Sequence, residues 1–195
     1  MQIKKSTIIL LAVLAFLGLW AVAGYNSLVG SDEKVTAAWG NVETQYQRRA
    51  DLIPNLVETV KGYTKHERET LEAVIAARSK ATSITIDPSN ITEEDLARFQ
   101  EVQNGLAGAL KSLLAVAESY PDLKAGDQFK DLQSQLEGTE NRIAEARRLY
   151  NEAVKPYNLE VRSFPKSVLA NIFGFRVRPY FASEAGADKA PKVQF

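Results

Sequence analysis

Apolar and polar positions divide the chain into one uncharged N-terminal stretch and four helical segments. Residues 6–31 carry no charge. Beyond them, apolar residues recur at alternating spacings of three and four, which is the period of a heptad stripe on a helix. The fourth segment has an unbroken stripe, formed by Phe129, Leu132, Leu136, Thr139, Ile143, Ala146, Tyr150, Ala153 and Tyr157. No strand-like alternation of useful length accompanies these stripes, so the pattern predicts an all-α fold.

The other three segments repeat the pattern with polar interruptions. The third stripe is formed by Leu96, Phe99, Gln103, Leu106, Leu110, Leu113, Ala117 and Tyr120. The first is formed by Leu28, Asp32, Val35, Trp39, Val42 and Tyr46, and the second by Ile53, Leu56, Val60, Tyr63, Glu67, Leu71, Val74, Ala77 and Ala81. Four such stripes bury one another best as an antiparallel, up-down-up-down four-helix bundle with long, coiled-coil-like helices, which we place at residues 30–158.

Prolines near the segment boundaries set the expected turns. Pro88 lies in a loop before the N-cap Thr92, and Pro121 ends the third helix. Asp51 can cap the second helix with Pro54 in its first turn. One continuous, proline-kinked helix over residues 26–81 would be about 84 Å long, more than either later helix could cover. We therefore predict a hairpin at residues 51–54.

The uncharged stretch is long enough to cross a membrane. A span needs about 20 apolar residues, and we assign residues 6–29 to a transmembrane helix with residues 1–5 as a cytoplasmic N-terminus. Lys4 and Lys5 favour that orientation by the positive-inside tendency, and Trp20 and Tyr25 lie where an outer aromatic belt is expected. A signal peptide cleaved after Ala23 is the alternative, because the same lysines and the Ala-Val-Ala sequence suit a cleavage site.

The predicted topology returns the fourth helix to the membrane, next to an aromatic and basic segment at residues 159–181. We expect this segment to lie at the bilayer interface, where aromatic rings reach headgroup depth and basic residues meet anionic lipid. The candidate interface residues, besides Trp20 and Tyr25, are Phe164, Lys166, Phe173, Phe175, Arg176, Arg178, Tyr180 and Phe181. The alternative is that the segment covers the open end of the bundle core. Residues 182–195 are expected to form a flexible tail.

Two further polar sets follow from the same topology. The predicted distal turns would gather Arg48, Arg49, Asp51, Asp122 and Lys124 into either a contact surface or an ordinary solvated surface. Polar residues on or beside the stripes, which can fix helix register, are Glu67, Gln103, Glu140 and Arg147. Equal heights on their helices predict a hydrogen bond between Gln103 and Arg147. They also place Glu67 near Glu140, with Arg78, Arg142 or Arg147 as neutralising partners.

The composition excludes several classes of functional site. The chain has 195 residues, 24 Lys and Arg against 24 Asp and Glu, one histidine and no cysteine. Thiolate metal sites, disulfides and a cysteine nucleophile are therefore excluded, and His66 alone cannot build a multi-histidine metal site. The zero net charge argues against nucleic-acid binding. No motif supplies a nucleophile, a phosphate loop or a substrate cleft, so we expect no enzyme activity, no cofactor and no small-molecule substrate.

Several sequence blocks resemble the LemA family over residues 25–181. The most specific block is Gln47-Arg-Arg-x-Asp-Leu-Ile-Pro-Asn-Leu56. Further matches are Tyr120-Pro-Asp-Leu-Lys-Ala125, Thr139-Glu-Asn-Arg-Ile143 and Phe164-Pro165. The resemblance implies an N-terminal membrane helix followed by an antiparallel four-helix bundle, and it supplies no catalytic residues. Some members are linked to internal-membrane formation or to envelope proteolysis and stress systems.

These observations predict a non-enzymatic scaffold of the bacterial envelope, anchored once in the inner (cytoplasmic) membrane with its bundle on the extracytoplasmic side. Its expected partners are the lipid bilayer and either other proteins or further copies of itself. A role in shaping the membrane is a second hypothesis. A secreted, soluble helical protein released by cleavage after Ala23 is the alternative.

Overall fold

The computed structural model describes residues 5–63 and 67–182, and these residues form six helices without a strand. They are α1 (Lys5–Lys61), α2 (Arg68–Ser83), α3 (Glu93–Ala117), α4 (Pro121–Ala125), α5 (Asp127–Arg162) and α6 (Lys166–Phe173). The all-α class is confirmed. Residues 1–4, 64–66 and 183–195 lie outside the described residues, and they include Lys4, His66 and most of the expected tail.

The first helix is the main difference from the sequence-based expectation. α1 is 57 residues long and runs without interruption from the uncharged stretch through Pro54. The hairpin expected at residues 51–54 is therefore wrong, and the chain turns after Lys61 instead. Pro54 lacks the N–H that would normally reach the Ala50 carbonyl, and Arg78 on α2 fills that gap by donating its Nε–H to the Ala50 oxygen at 2.8 Å.

The heptad stripes predict the core well. Trp39, Leu106, Ile53 and Tyr150 are fully buried, as are most other stripe positions of α3 and α5. Tyr63 is the main exception, because it lies just past the end of α1 and is half exposed. One core cluster lies around Leu113 and Leu136, and a second, more aromatic cluster surrounds Trp39.

Side-chain hydrogen bonds fix the directions in which the helices pair. Ser27 and Arg49 of α1 bond to Glu160 and Glu140 of α5, so the two helices run in opposite directions. α3 likewise runs against α2. Its Gln103 donates to the Ala81 carbonyl near the end of α2, while Tyr120, beyond the end of α3, donates to Glu67 before the start of α2.

The last described part of the chain is an extended segment, residues 174–182, which we call the C-terminal strap. It begins at Gly174, whose φ of 79° is a left-handed conformation that glycine adopts without a steric cost. From there it runs along α5 toward the middle of that helix, and Phe181 enters the aromatic core cluster.

Candidate membrane interface

The N-terminal part of α1 has the properties of a membrane span. It contains the chain's one described helical window that is long and apolar enough to cross a bilayer, and nearly all of that window is exposed. Its large side chains, such as Leu10, Phe16 and Leu19, have half or more of their surface uncovered. An exposed apolar surface of this size is unfavourable in water and favourable in lipid. The structure therefore fits a single-pass membrane protein.

The short helix α6 packs against α1 just where the apolar window ends. Leu169 and Ala170 of α6 form a small buried cluster with Leu28 of α1, and Trp20 contacts the same cluster. Gly24 is buried at this crossing, and a Cβ there would lie 2.5 Å from the Leu169 Cδ1 atom. The close approach of α6 thus depends on a glycine in α1.

The outer face of α6 remains uncovered and apolar. Ile172 is 69% exposed, and Val168 and Phe173 are about half exposed. Phe164, two residues before α6, is 84% exposed. Leu159 on the last turns of α5 adds another exposed apolar side chain. This face adjoins the apolar part of α1.

Tyr25 connects the two surfaces. Its ring lies 4.8 Å from the Phe173 ring and 5.9 Å from the Phe175 ring, centroid to centroid, on α6 and the start of the strap. Tyr25 and Phe173 are each partly exposed. The structure thus brings together four of the predicted interface residues (Trp20, Tyr25, Phe173 and Phe175).

A polar group joins α1, α5 and α6 just above this apolar surface. Glu160 accepts hydrogen bonds from Ser27 at 3.0 Å and Ser31 at 3.2 Å, and it pairs with Lys166 at 3.1 Å. Burial alone would raise the pKa of the Glu160 carboxyl, but these hydrogen bonds and the nearby ammonium outweigh it and hold the pKa below its usual range. Glu160 therefore stays ionised and holds α6 in place.

Two predicted interface residues are buried on the bundle instead. Arg178 is 5% exposed and donates to the Asp32 carboxylate at 2.8 Å, and Phe181 is also 5% exposed. They cover core residues, as the alternative for this segment expected. Arg176 and Tyr180 are exposed on the strap.

The five residues expected at a distal surface do not form one. Arg49 is 2% exposed, so its place on an exposed contact surface is a wrong expectation. It lies on the inner face of an uninterrupted α1, far from the turn that follows Lys61. Asp51 accepts from Gln47 within α1, and Lys124 pairs with Glu118 beside α4, where Asp122 is exposed. Arg48 is exposed on α1.

The polar stripe residues are paired differently from the expectation. Gln103 accepts from Arg49 at 2.7 Å, and Arg49 also donates to Glu140 at 2.9 Å, so Arg49 takes the place expected for Arg147. Arg147 instead donates to the Ala182 carbonyl and lies over the Phe181 ring. Glu67 accepts from Tyr120 rather than sharing a level with Glu140.

Sequence reasoning missed the residues that hold α6 and the strap. Gly24, Ser27 and Glu160 carry no motif, although the (i, i+4) spacing of Ser27 and Ser31 places both hydroxyls on one face of α1. Asn151 and Asn158, which bind the strap, are one heptad apart, and that spacing was the available signal. Among the described residues, no group of three or more His, Cys, Asp or Glu could hold a metal ion.

Comparison with known proteins identifies relatives of this chain. Magnetosome proteins MamQ 1 and MamQ 2 of Paramagnetospirillum magneticum are each 28% identical to it, over 91% of this chain and 71% of theirs. Magnetosome protein MamQ of Magnetospirillum gryphiswaldense is 26% identical over 84% of this chain and 66% of its own. Protein LemA of Metamycoplasma hominis is 24% identical over 71% and 60%. The sequence profile of the LemA family matches residues 38–195, so the chain belongs to the LemA family.

Proposed function

We propose that this protein is a non-enzymatic, membrane-anchored scaffold whose antiparallel four-helix bundle binds other proteins or further copies of itself. The observation that carries the proposal is the continuity of α1, which extends from an exposed apolar window into the buried core at Trp39 and Ile53. A continuous helix transmits orientation, so the bundle would stand at a fixed angle to the membrane. The proposed binding region is therefore the surface of the bundle and not a cleft.

The proposed location is the inner membrane of a bacterium, with the N-terminus in the cytoplasm and the bundle outside. Lys5, at the start of α1, and Lys4 before it give the cytoplasmic flank its positive charge, and Asp32 and Glu33 follow the apolar stretch on the other side.

Retention of the N-terminal segment is proposed in preference to cleavage after Ala23. Trp20 and Ala21 pack against the α6 cluster, so a cut at Ala23 would remove part of the surface on which α6 rests. It would also divide α1 in the middle of a regular helix. A secreted bundle would leave Leu28 and Leu169 at a newly exposed end.

The exposed face of α6 is proposed to lie in the headgroup region of the same membrane. Replacing Ile172 of α6 and Phe164 just before it with Ser removes two exposed apolar side chains and leaves Leu169 and Ala170 unchanged. In vesicles, the doubly substituted protein should keep its helicity, but the fluorescence of a label on α6 should become accessible to a water-soluble quencher. A matched control replaces Ile75, exposed on α2, with Ser. Equal quenching of the two variants would contradict contact between α6 and lipid.

The scaffold role is tested by cross-linking in intact membranes. A short lysine-reactive reagent should capture the protein in complexes larger than one chain, either with itself or with defined partners. Recovery of only the single-chain species, under conditions that capture a known oligomer in the same membranes, would contradict the scaffold role.

A membrane-shaping role is the second candidate, and the uncovered apolar face of α6 beside the anchor favours it. A shallow wedge next to a span expands one leaflet, and several associated copies would add their effects. The relatives named as magnetosome proteins are compatible with such a role. Electron microscopy of vesicles containing the purified protein should show curvature that increases with protein density, and smooth vesicles at every density would contradict it.

A further inference from the structure

The C-terminal strap is bound to the bundle through its backbone and through two buried side chains. Asn158 of α5 donates to the Arg178 carbonyl at 2.8 Å and accepts the Arg178 N–H at 2.8 Å. Asn151, one heptad earlier, makes the same pair of bonds with Phe181, at 3.0 and 2.9 Å. Each asparagine side chain thus donates one hydrogen bond to the backbone of a strap residue and accepts one from it, as the backbone of a neighbouring β-strand would.

The spacing of these contacts matches the two backbones. Seven residues of an α-helix rise about 10.5 Å, and the three steps from Arg178 to Phe181 in an extended chain cover about 10 Å. Further bonds to the strap backbone lie on either side, from Tyr157 to the Arg176 carbonyl and from Arg147 to the Ala182 carbonyl. The face of α5 thus holds an extended peptide over the seven residues 176–182.

Two strap side chains supply selectivity. Phe181 stacks on Trp39 with ring centroids 6.0 Å apart and planes 11° apart, and it meets the edge of Tyr150 at 5.3 Å. The Arg178 guanidinium pairs with Asp32 and lies 5.8 Å from the Tyr157 ring centroid. Backbone bonds with two side-chain pockets are the usual features of a peptide-binding groove.

We propose that this groove is a binding site for an extended peptide with an arginine and an aromatic residue three positions apart, and that its second occupant is the strap of a neighbouring copy. The proposal rests on the self-association part of the proposed function and names its contact. Exchange of straps between two copies preserves every bond described above. The free-energy cost that opposes it is therefore the translational and rotational freedom that the two chains lose on association.

Membrane attachment favours such an exchange. Copies anchored by the same helix stand in one orientation, and their grooves lie at one height above the bilayer. Confinement to two dimensions raises the effective concentration of each strap near its neighbours' grooves. The strap follows Gly174 and the short helix α6, so α6 and the strap together form the segment that would be exchanged.

The chain has no cysteine, which allows a direct test with the full-length protein. One population carries Arg147→Cys in the groove and the other Ala182→Cys on the strap, and the two are reconstituted together in vesicles with a short bismaleimide. Exchange predicts a cross-linked pair of chains, one from each population, at least about tenfold above a control pair of Lys130→Cys and Ala182→Cys. Cross-links that form only when both cysteines are on one chain would overturn the proposal.

A second pair of variants tests strap exchange without cysteine substitutions, which could themselves disturb the groove or the strap. Asn151→Ala weakens the groove and Phe181→Ala weakens the strap, but a mixture of the two proteins restores one intact groove with one intact strap. Dimers measured by energy transfer in vesicles should therefore be more abundant in the mixture than in either variant alone. No gain on mixing would overturn strap exchange. Self-association that persists without strap cross-links would leave the scaffold role standing, whereas loss of all association would contradict both.

Discussion

At the scale of single residues, Pro54 shows how a sequence signal for a turn is overridden by one distant side chain. The missing N–H of proline ordinarily leaves a carbonyl without a partner inside a helix. Here Arg78, 28 residues later, donates to that carbonyl. The helix consequently continues for two more turns and buries Leu56 and Val60.

Arg78→Leu should therefore lower the free energy of unfolding by roughly 1–3 kcal/mol, because it leaves the Ala50 carbonyl unsatisfied. Pro54→Ala restores a helical N–H to that carbonyl, so the same Arg78→Leu change should cost distinctly less in the Pro54→Ala background. Denaturation of the four proteins in one detergent measures the difference. Equal costs in both backgrounds would show that Arg78 does not act through Pro54.

Glu160 gives the interface a predicted dependence on pH. Its folded-state pKa is lowered, so its contribution to stability is complete above the ordinary glutamate pKa of about 4.3 and is lost as pH falls through the folded value. The melting temperature of the protein should fall between about pH 5 and 3 more steeply than that of Glu160→Gln. Parallel curves for the two proteins would contradict the role of Glu160 in holding α6.

The heptad stripes could be predicted because burial follows directly from helical period. Thr139 and Gln103 were assigned to buried stripe positions in spite of their polarity, and both are buried. The partner of Gln103 could not be predicted, because height along a helix does not tell which neighbouring helix faces it. Arg49 was assigned to a turn, and only the continuity of α1 places it opposite Gln103 and Glu140.

At the scale of elements, the contact between α1 and α6 determines whether anchor and bundle behave as one body. α6 approaches α1 at Gly24, and it is joined to α5 by the ion pair of Lys166 and Glu160. A side chain at position 24 would compete for the space of Leu169.

Gly24→Leu should thus displace α6, exposing Leu28 and Ala170, although leucine is the better helix former. Gly30→Ala is the matched control in the same helix, because nothing lies within 4 Å of a Cβ there, and it should raise stability by up to about 1 kcal/mol. Hydrogen exchange of the α6 amides measures the displacement. Unchanged protection of α6 in Gly24→Leu would contradict the close packing.

The elements themselves were only partly predictable from sequence. The stripe from Tyr46 through Ile53 to Val60 continues in phase across Pro54, and that continuity was the evidence for one helix. The predicted hairpin equalises the helix lengths, but the hydrogen bond from Arg78 to the Ala50 carbonyl allows the helix to continue instead. The position of α6 depends on a glycine contact and on hydrogen bonds of Ser27, each between residues more than 130 positions apart, which no local pattern encodes.

At the scale of the whole molecule, three surfaces follow one another along α1. The exposed apolar part of α1 suits lipid, the α6 face suits the edge of that lipid, and the strap groove lies farther along α1 near Trp39. A retained anchor is the central claim, since without it the α6 face loses its membrane and the grooves lose their common height.

The most direct test is the intact mass of the protein isolated from the membranes of its host. A retained anchor predicts a chain that contains residues 6–23, recovered in the membrane fraction after an alkaline wash. A chain beginning at Gly24, recovered in the soluble fraction, would contradict the membrane-anchored scaffold.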